Sequence, residues 1–174
     1  SRLVTEFQRF FSDAAANGSS EFRSYIIKYS ERDQQRLHKL QELLSRNGIR
    51  FSSAKPGSYR GYNYDNGREE NFSLTENDLV IQAAQPRGTL VRVLFEPNTH
   101  VVDSVTYDIT AWALPYAFGL KAYASKQAVA TGANRNVEFT PNIAPAAGPY
   151  GYIIPWTGVN SVKLVGTLMK KGIR

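Results

Sequence analysis

Apolar residues recur at every third or fourth position in some stretches of the chain and in short unbroken runs in others, and the change of period marks the elements. Leu3, Phe7, Phe10, Phe11 and Ala14 share one side of a helix over residues 2–16, and Asn17-Gly18 supplies a left-handed stop. Tyr25-Ile26-Ile27, within residues 22–29, is a β-prone run. Ser30 then stands where a helix N-cap would, with Asp33 three residues on. Leu37, Leu40, Leu43 and Leu44, with His38 beside them, line the apolar side of a second helix that Asn47-Gly48 ends. Ile49-Arg50-Phe51 resumes as a strand. Strand, helix, strand in this order predicts a β-α-β unit with parallel pairing and a right-handed crossover.

Residues 55–71 are rich in Gly, Asn and Tyr, which predicts a surface loop with Asn66-Gly67 as a hairpin tip. Residues 79–83 form a short apolar strand. Pro86 fits the first position of a helix carrying Leu90, Val91, Leu94 and Phe95. Residues 98–105 connect, residues 109–118 are aromatic and helical until Pro115 disturbs them, and residues 121–124 suit another strand. Gly132, Pro141, Pro145, Gly148 and Pro149 mark residues 125–149 as an irregular connector and the best boundary.

The pattern Tyr25-Ile26-Ile27, Leu40, Leu44, Gly48-Ile49-Arg50 returns as Tyr152-Ile153-Ile154, Leu164, Leu168, Gly172-Ile173-Arg174. Shared β-α-β geometry explains the echo as readily as duplication does. Either origin predicts an α/β fold with an open, largely parallel sheet and flanking helices. Residues 1–124 would form an α/β domain with an N-terminal helix, residues 125–149 the connector, and residues 150–174 a β-α unit of the same or a following domain. Arg174 falls where the next strand should begin and Ser1 is not a methionine, so the expectation is a piece of a longer chain, incomplete at its C-terminus.

Composition narrows the chemistry. With 42% hydrophobic and 21% charged residues, the 174-residue chain can bury a core. It has no cysteine, which excludes disulfides, thiolate metal sites and thiol nucleophiles. The net charge is +6, and beyond residue 124 Lys126, Arg135, Lys163, Lys170, Lys171 and Arg174 face only Glu138. Cations so widely spread make no dense basic patch and argue against a nucleic-acid partner. No apolar run approaches the length of a membrane span, and Arg2, Glu6 and Arg9 interrupt the N-terminal segment where a secretory signal would be uniformly apolar.

His38 and His100 are the two histidines, and neither begins a His-x-x-Glu pair that could hold zinc. No Gly-x-Ser-x-Gly elbow surrounds Ser19, Ser58 or Ser161, and no phosphate-binding glycine motif occurs. Three carboxylate pairs remain: Glu69-Glu70, Glu76 with Asp78, and Asp103 with Asp108. Solvated loops and caps account for such pairs unless two of them face each other across a cleft. Tyr59, Tyr62 and Tyr64, beside Arg60 and Arg68, form the candidate substrate-binding surface, since flat rings suit sugars, peptides or bases. Rings packed back onto a sheet or a neighbouring domain are the alternative.

The run from Gln85-Pro86-Arg87-Gly88 through Leu94-Phe95-Glu96-Pro97 to Asp103-Ser104-Val105-Thr106-Tyr107-Asp108-Ile109-Thr110-Ala111-Trp112-Ala113-Leu114-Pro115, with Gly119, resembles a segment of bacterial zinc carboxypeptidases. These are carboxypeptidase A-like metallopeptidases of the large type found in Bacteroidetes. There the segment lies downstream of the catalytic domain and leads into a class I glutamine amidotransferase-like domain, so the resemblance implies an amidotransferase-like or flavodoxin-like fold. Tyr152-Ile153-Ile154-Pro155 and Gly172-Ile173-Arg174 resemble the part that follows. The family's metal-binding histidines, His-x-x-Glu motif and catalytic glutamate have no counterpart here, and the amidotransferase cysteine is missing, so no catalytic residue carries over. What the resemblance implies is a noncatalytic accessory region, in the periplasm or outside the cell, that packs on or modulates a zinc-dependent peptidase domain. Zinc belongs to that parent domain, with no cofactor in this chain. A module binding cell-wall peptide or glycan through the 59–64 loop is the alternative.

Overall fold

Tyr25-Ile26-Ile27 lies in the middle of a sheet. The computed structural model describes residues 2–17, 21–98, 113–133, 150–151, 153–154, 156 and 158–173. In it β1 (Ser24–Ile27) is buried along its whole length. On one side it pairs with β5 (Leu79–Gln82), and on the other with β6 (Ala122–Ser125), both antiparallel. Beyond β5 lies the two-residue edge strand β2 (Ser52–Ser53), and beyond β6 the hairpin of β3 (Gly57–Asn63) and β4 (Arg68–Leu74). The order is β2-β5-β1-β6-β3-β4, with every pairing antiparallel.

The expected open parallel sheet is therefore wrong, and the reason is specific. Antiparallel pairing of β5 with both β1 and β2 makes β1 and β2 run the same way, as a β-α-β crossover requires. They do not touch, because β5 is inserted between them. β6 separates β1 from β3 in the same manner.

Helix α1 (Arg2–Asn17) occupies the expected residues. Ser30 precedes a 3-10 turn, Glu31–Asp33, without a side-chain cap bond, and α2 (Gln34–Arg46) follows. The Gly48 and Ile49 N–H groups close α2 onto the Ser45 and Leu44 carbonyls. Residues 49–51, expected as a strand, lie in none; the strand that follows α2 is β2, which starts at Ser52. Helix α3 (Gly88–Phe95) starts two residues after Pro86. In α4 (Leu114–Phe118) Pro115 sits at the start, where a missing N–H costs nothing, and opens the helix instead of breaking it. Of the strand expected before helix α5 (Val159–Lys170), the described residues Ile153 and Ile154 have no regular structure. The expectations for residues 99–112 and 134–149, and those resting on Ser19, His100, Tyr152, Pro155 and Arg174, lie outside the described residues.

One face of the sheet presents Tyr25, Ile27, Ile81 and Ala124 to Leu37, Leu40 and Leu44 of α2 and to Val91 and Phe95 of α3. The other presents Ile26, Val80, Phe72, Leu74 and Tyr123, closed by Ala54 and Val129. Val129 is tied down by its own N–H donating to Ser24 Oγ at 3.0 Å and by its carbonyl accepting from Gln82 Nε2 at 2.6 Å. Each fully buried aliphatic side chain here contributes about 1.5–3 kcal/mol, well above the ~0.5 kcal/mol of an exposed helix ion pair such as Arg2 with Glu6.

Among the described residues helix α1 is docked by its C-terminal end. Ala14 is buried, and the Arg87 guanidinium lies 5.8 Å from the Phe11 ring centre. Leu3, Val4, Phe7 and Phe10 remain between 52% and 79% exposed.

Candidate functional site

The supposed 59–64 loop is strand β3, and strand geometry distributes its tyrosines. Successive side chains of a strand point to opposite faces. Tyr59 packs on the face of Phe72, its ring centre 6.4 Å away, and its hydroxyl accepts from the Ala130 N–H at 3.2 Å. Tyr62 lies on the helix-covered face, joined by Tyr64 just past the end of β3, their rings edge to face at 5.8 Å. Tyr64 is buried and its hydroxyl donates to the Phe95 carbonyl; burial pushes its ionisation far above the usual phenol range. Arg60 is exposed, with Nε 3.5 Å from Glu69 Oε2. Arg68 starts β4 opposite Asn63. The four candidate binding residues Tyr59, Tyr62, Tyr64 and Arg60 thus do not form one platform.

Asn66-Gly67 does lie in the hairpin turn. Gly67 adopts φ 69°, a left-handed conformation that residues with a Cβ resist, and its N–H donates to the Asn63 carbonyl at 2.9 Å.

The sequence reading missed Tyr116 and Tyr123. Tyr116, from α4, meets Tyr64 edge-on at 5.1 Å, and partial burial followed by the Tyr62 hydroxyl pushes its pKa up to about 12. Tyr123 stacks on Phe72 at 4.2 Å. Burial, then a hydrogen bond to Glu70, pushes Tyr123 up to about 12 as well. Alternation along β6 was the available signal, but a four-residue strand is too short to display it.

The two carboxylate pairs among the described residues do not face each other across a cleft, and Asp103 with Asp108 lies outside those residues. Tyr62 is the register partner of Glu69 and Gly61 that of Glu70, so adjacent Glu69 and Glu70 lie on opposite faces. Glu70 accepts from Asn66, Asn63 and Tyr123, and the two amides, foremost Asn66, hold its carboxyl below the usual range. Glu69 meets Arg60 and Lys126. Asp78 is 1% exposed and accepts from the Tyr29 and Thr75 N–H groups, both at 2.8 Å, and from the Lys28 ammonium. It is a structural joint between the end of β1 and the β4–β5 turn, whereas Glu76 is exposed. His38 Nε2 lies 3.3 Å from Glu42 Oε1 on the same helix. Among the described residues no three His, Asp or Glu side chains converge to hold a metal ion. Ser58 is exposed on β3, and buried Ser161 lies in the first turn of α5.

A cleft of about 490 Å³ opens where the N-terminal turn of α5 meets α2 and α4. Ala117, Phe118 and Val159 form its apolar wall, and Arg36, Lys39 and Lys163 its charged side. No helix among the described residues is long and apolar enough to cross a membrane. Comparison with protein-family models, curated proteins and solved structures finds no match to this chain.

Proposed function

We propose that the chain is a noncatalytic packing module, the accessory region of a zinc-dependent carboxypeptidase whose metal and peptide-bond chemistry reside in another part of that protein. The exposed apolar row on α1 carries this reading. Leu3, Val4, Phe7 and Phe10 extend away from the docked end at Ala14, and a contiguous apolar row of this kind marks a surface that another protein covers. The 107–115 sequence supports the choice of parent, and with it an exported location. The distribution of Tyr59 and Tyr64 to opposite faces of the sheet weighs against the rival glycan or peptide platform.

The test is a peptidase assay in two arms. The whole gene product removes C-terminal residues from peptides in a chelator-sensitive manner, and the 174-residue chain alone does not. Chelator-sensitive turnover by the chain alone would overturn the noncatalytic reading; its absence from the whole gene product would overturn the parent.

A further inference from the structure

The cleft between α2, α4 and α5 has the composition of a ligand site that the packing role does not use. Its volume, about 490 Å³, is within the range of small-molecule pockets. Among the described residues its lining holds three cations and no carboxylate. Two of the cations have partners within the protein. Arg36 donates through Nη1 to the Phe118 and Gly119 carbonyls, at 3.1 and 2.7 Å, and through Nη2 to Asp33. Lys39 pairs with Glu42 at 2.8 Å. These bonds fix the positions of both side chains, and Arg36 Nε remains a buried donor without a partner. Lys163 has no ion pair among the described residues, so one positive charge at the cleft is uncompensated. Facing these groups are the Phe118 ring and the Val159 side chain.

We propose that this cleft binds a monocarboxylate carrying an apolar group, its carboxylate on the Lys163 and Lys39 side and its apolar part against Phe118 and Val159. A charge-assisted contact to an ammonium is stronger than a neutral one, which makes the carboxylate the discriminating feature. The ligand is either a free aryl or alkyl acid or the C-terminal carboxylate of a peptide ending in an apolar residue.

Titrating the protein with 3-phenylpropionate, its alcohol 3-phenylpropanol, N-acetyl-alanyl-phenylalanine and the C-terminal amide of that dipeptide, while following backbone amide NMR signals, tests the proposal. Saturable shifts confined to residues 35–39, 117–118 and 158–163 are expected for the acids. Binding should weaken about tenfold for the alcohol and the amide, and about tenfold for both acids in Lys163→Gln, since each change removes one charge-assisted contact. Lys163 is exposed, so its variant keeps the fold, which an unchanged thermal midpoint checks. Tighter binding of the peptide acid assigns the ligand as a chain terminus, and tighter binding of phenylpropionate assigns a free acid. Equal binding of acid and alcohol, an unaffected Lys163→Gln, or no saturable shift would overturn the site.

Discussion

The Tyr64 hydroxyl donates to the Phe95 carbonyl, pinning the tip of the β3–β4 hairpin to the last turn of α3. Tyr64→Phe removes this one bond and keeps the ring, so the expected loss is about 1 kcal/mol. Tyr64→Ala also empties a buried site and should cost about 3–5 kcal/mol. Urea unfolding of both variants reads the difference; equal losses would mean that the hydrogen bond, not ring packing, dominates.

Among the described residues Asp78 is the one charged side chain that is buried. Removing its carboxylate leaves the Tyr29 and Thr75 N–H groups and the Lys28 ammonium short of an acceptor at a buried position. Asp78→Ala should cost about 3–5 kcal/mol. Lys28→Met should cost less, because two backbone donors still hold the carboxylate. A urea midpoint for Asp78→Ala matching the wild-type value would refute the joint.

Stability should fall at alkaline pH. The Tyr116 and Tyr123 phenols ionise near 10 in the unfolded chain but at about 12 when folded, chiefly through burial. Above 10 the unfolded state binds fewer protons than the folded one, so stabilisation that is fully present below 10 declines toward 12. Urea midpoints followed against pH should be level up to that point and then drop, with a shallower drop in Tyr123→Phe. A level profile throughout would contradict the burial of these rings.

Gly61 lets β3 lie close against β6. A Cβ there would lie 2.6 Å from the Ala124 carbonyl oxygen, so Gly61→Ala must push the strands apart and should cost about 1–3 kcal/mol. Phe7→Glu with Phe10→Glu, at exposed positions on α1, should change the unfolding midpoint by no more than about 0.5 kcal/mol while abolishing association through that face. Thermal denaturation and light scattering separate the two effects; a collapse of the double α1 variant would show that α1 is held by more than its end.

Gly61 also shows why part of this fold was hidden in the sequence. Residues 55–71 carry the Gly and Asn content of a loop, yet glycine at position 61 serves close strand approach, and asparagine at position 63 serves a hydrogen bond to Glu70. Composition could not distinguish these uses. Helices α1 and α2 were legible because their leucines and phenylalanines repeat over several turns, and β1 because Tyr25-Ile26-Ile27 is bounded by polar residues. Pairing partners leave no such local trace: Ile26 opposes both Val80 and Tyr123, which lie far along the chain. The separation of Tyr59 from Tyr62 and Tyr64 was hidden for a related reason, since tyrosines crowded in sequence are divided by the two-residue period of a strand.

β6 joins two otherwise separate pieces of sheet, β2-β5-β1 and β3-β4. During synthesis both pieces are complete well before residue 122 leaves the ribosome, each with an edge awaiting the same four-residue strand. The nascent chain therefore passes through an interval in which β1 has one vacant side and β3 another, and its exposure to wrong pairing lasts until residues 122–125 have emerged. Slowing translation before β6 has emerged would increase aggregation, whereas slowing it afterwards would not.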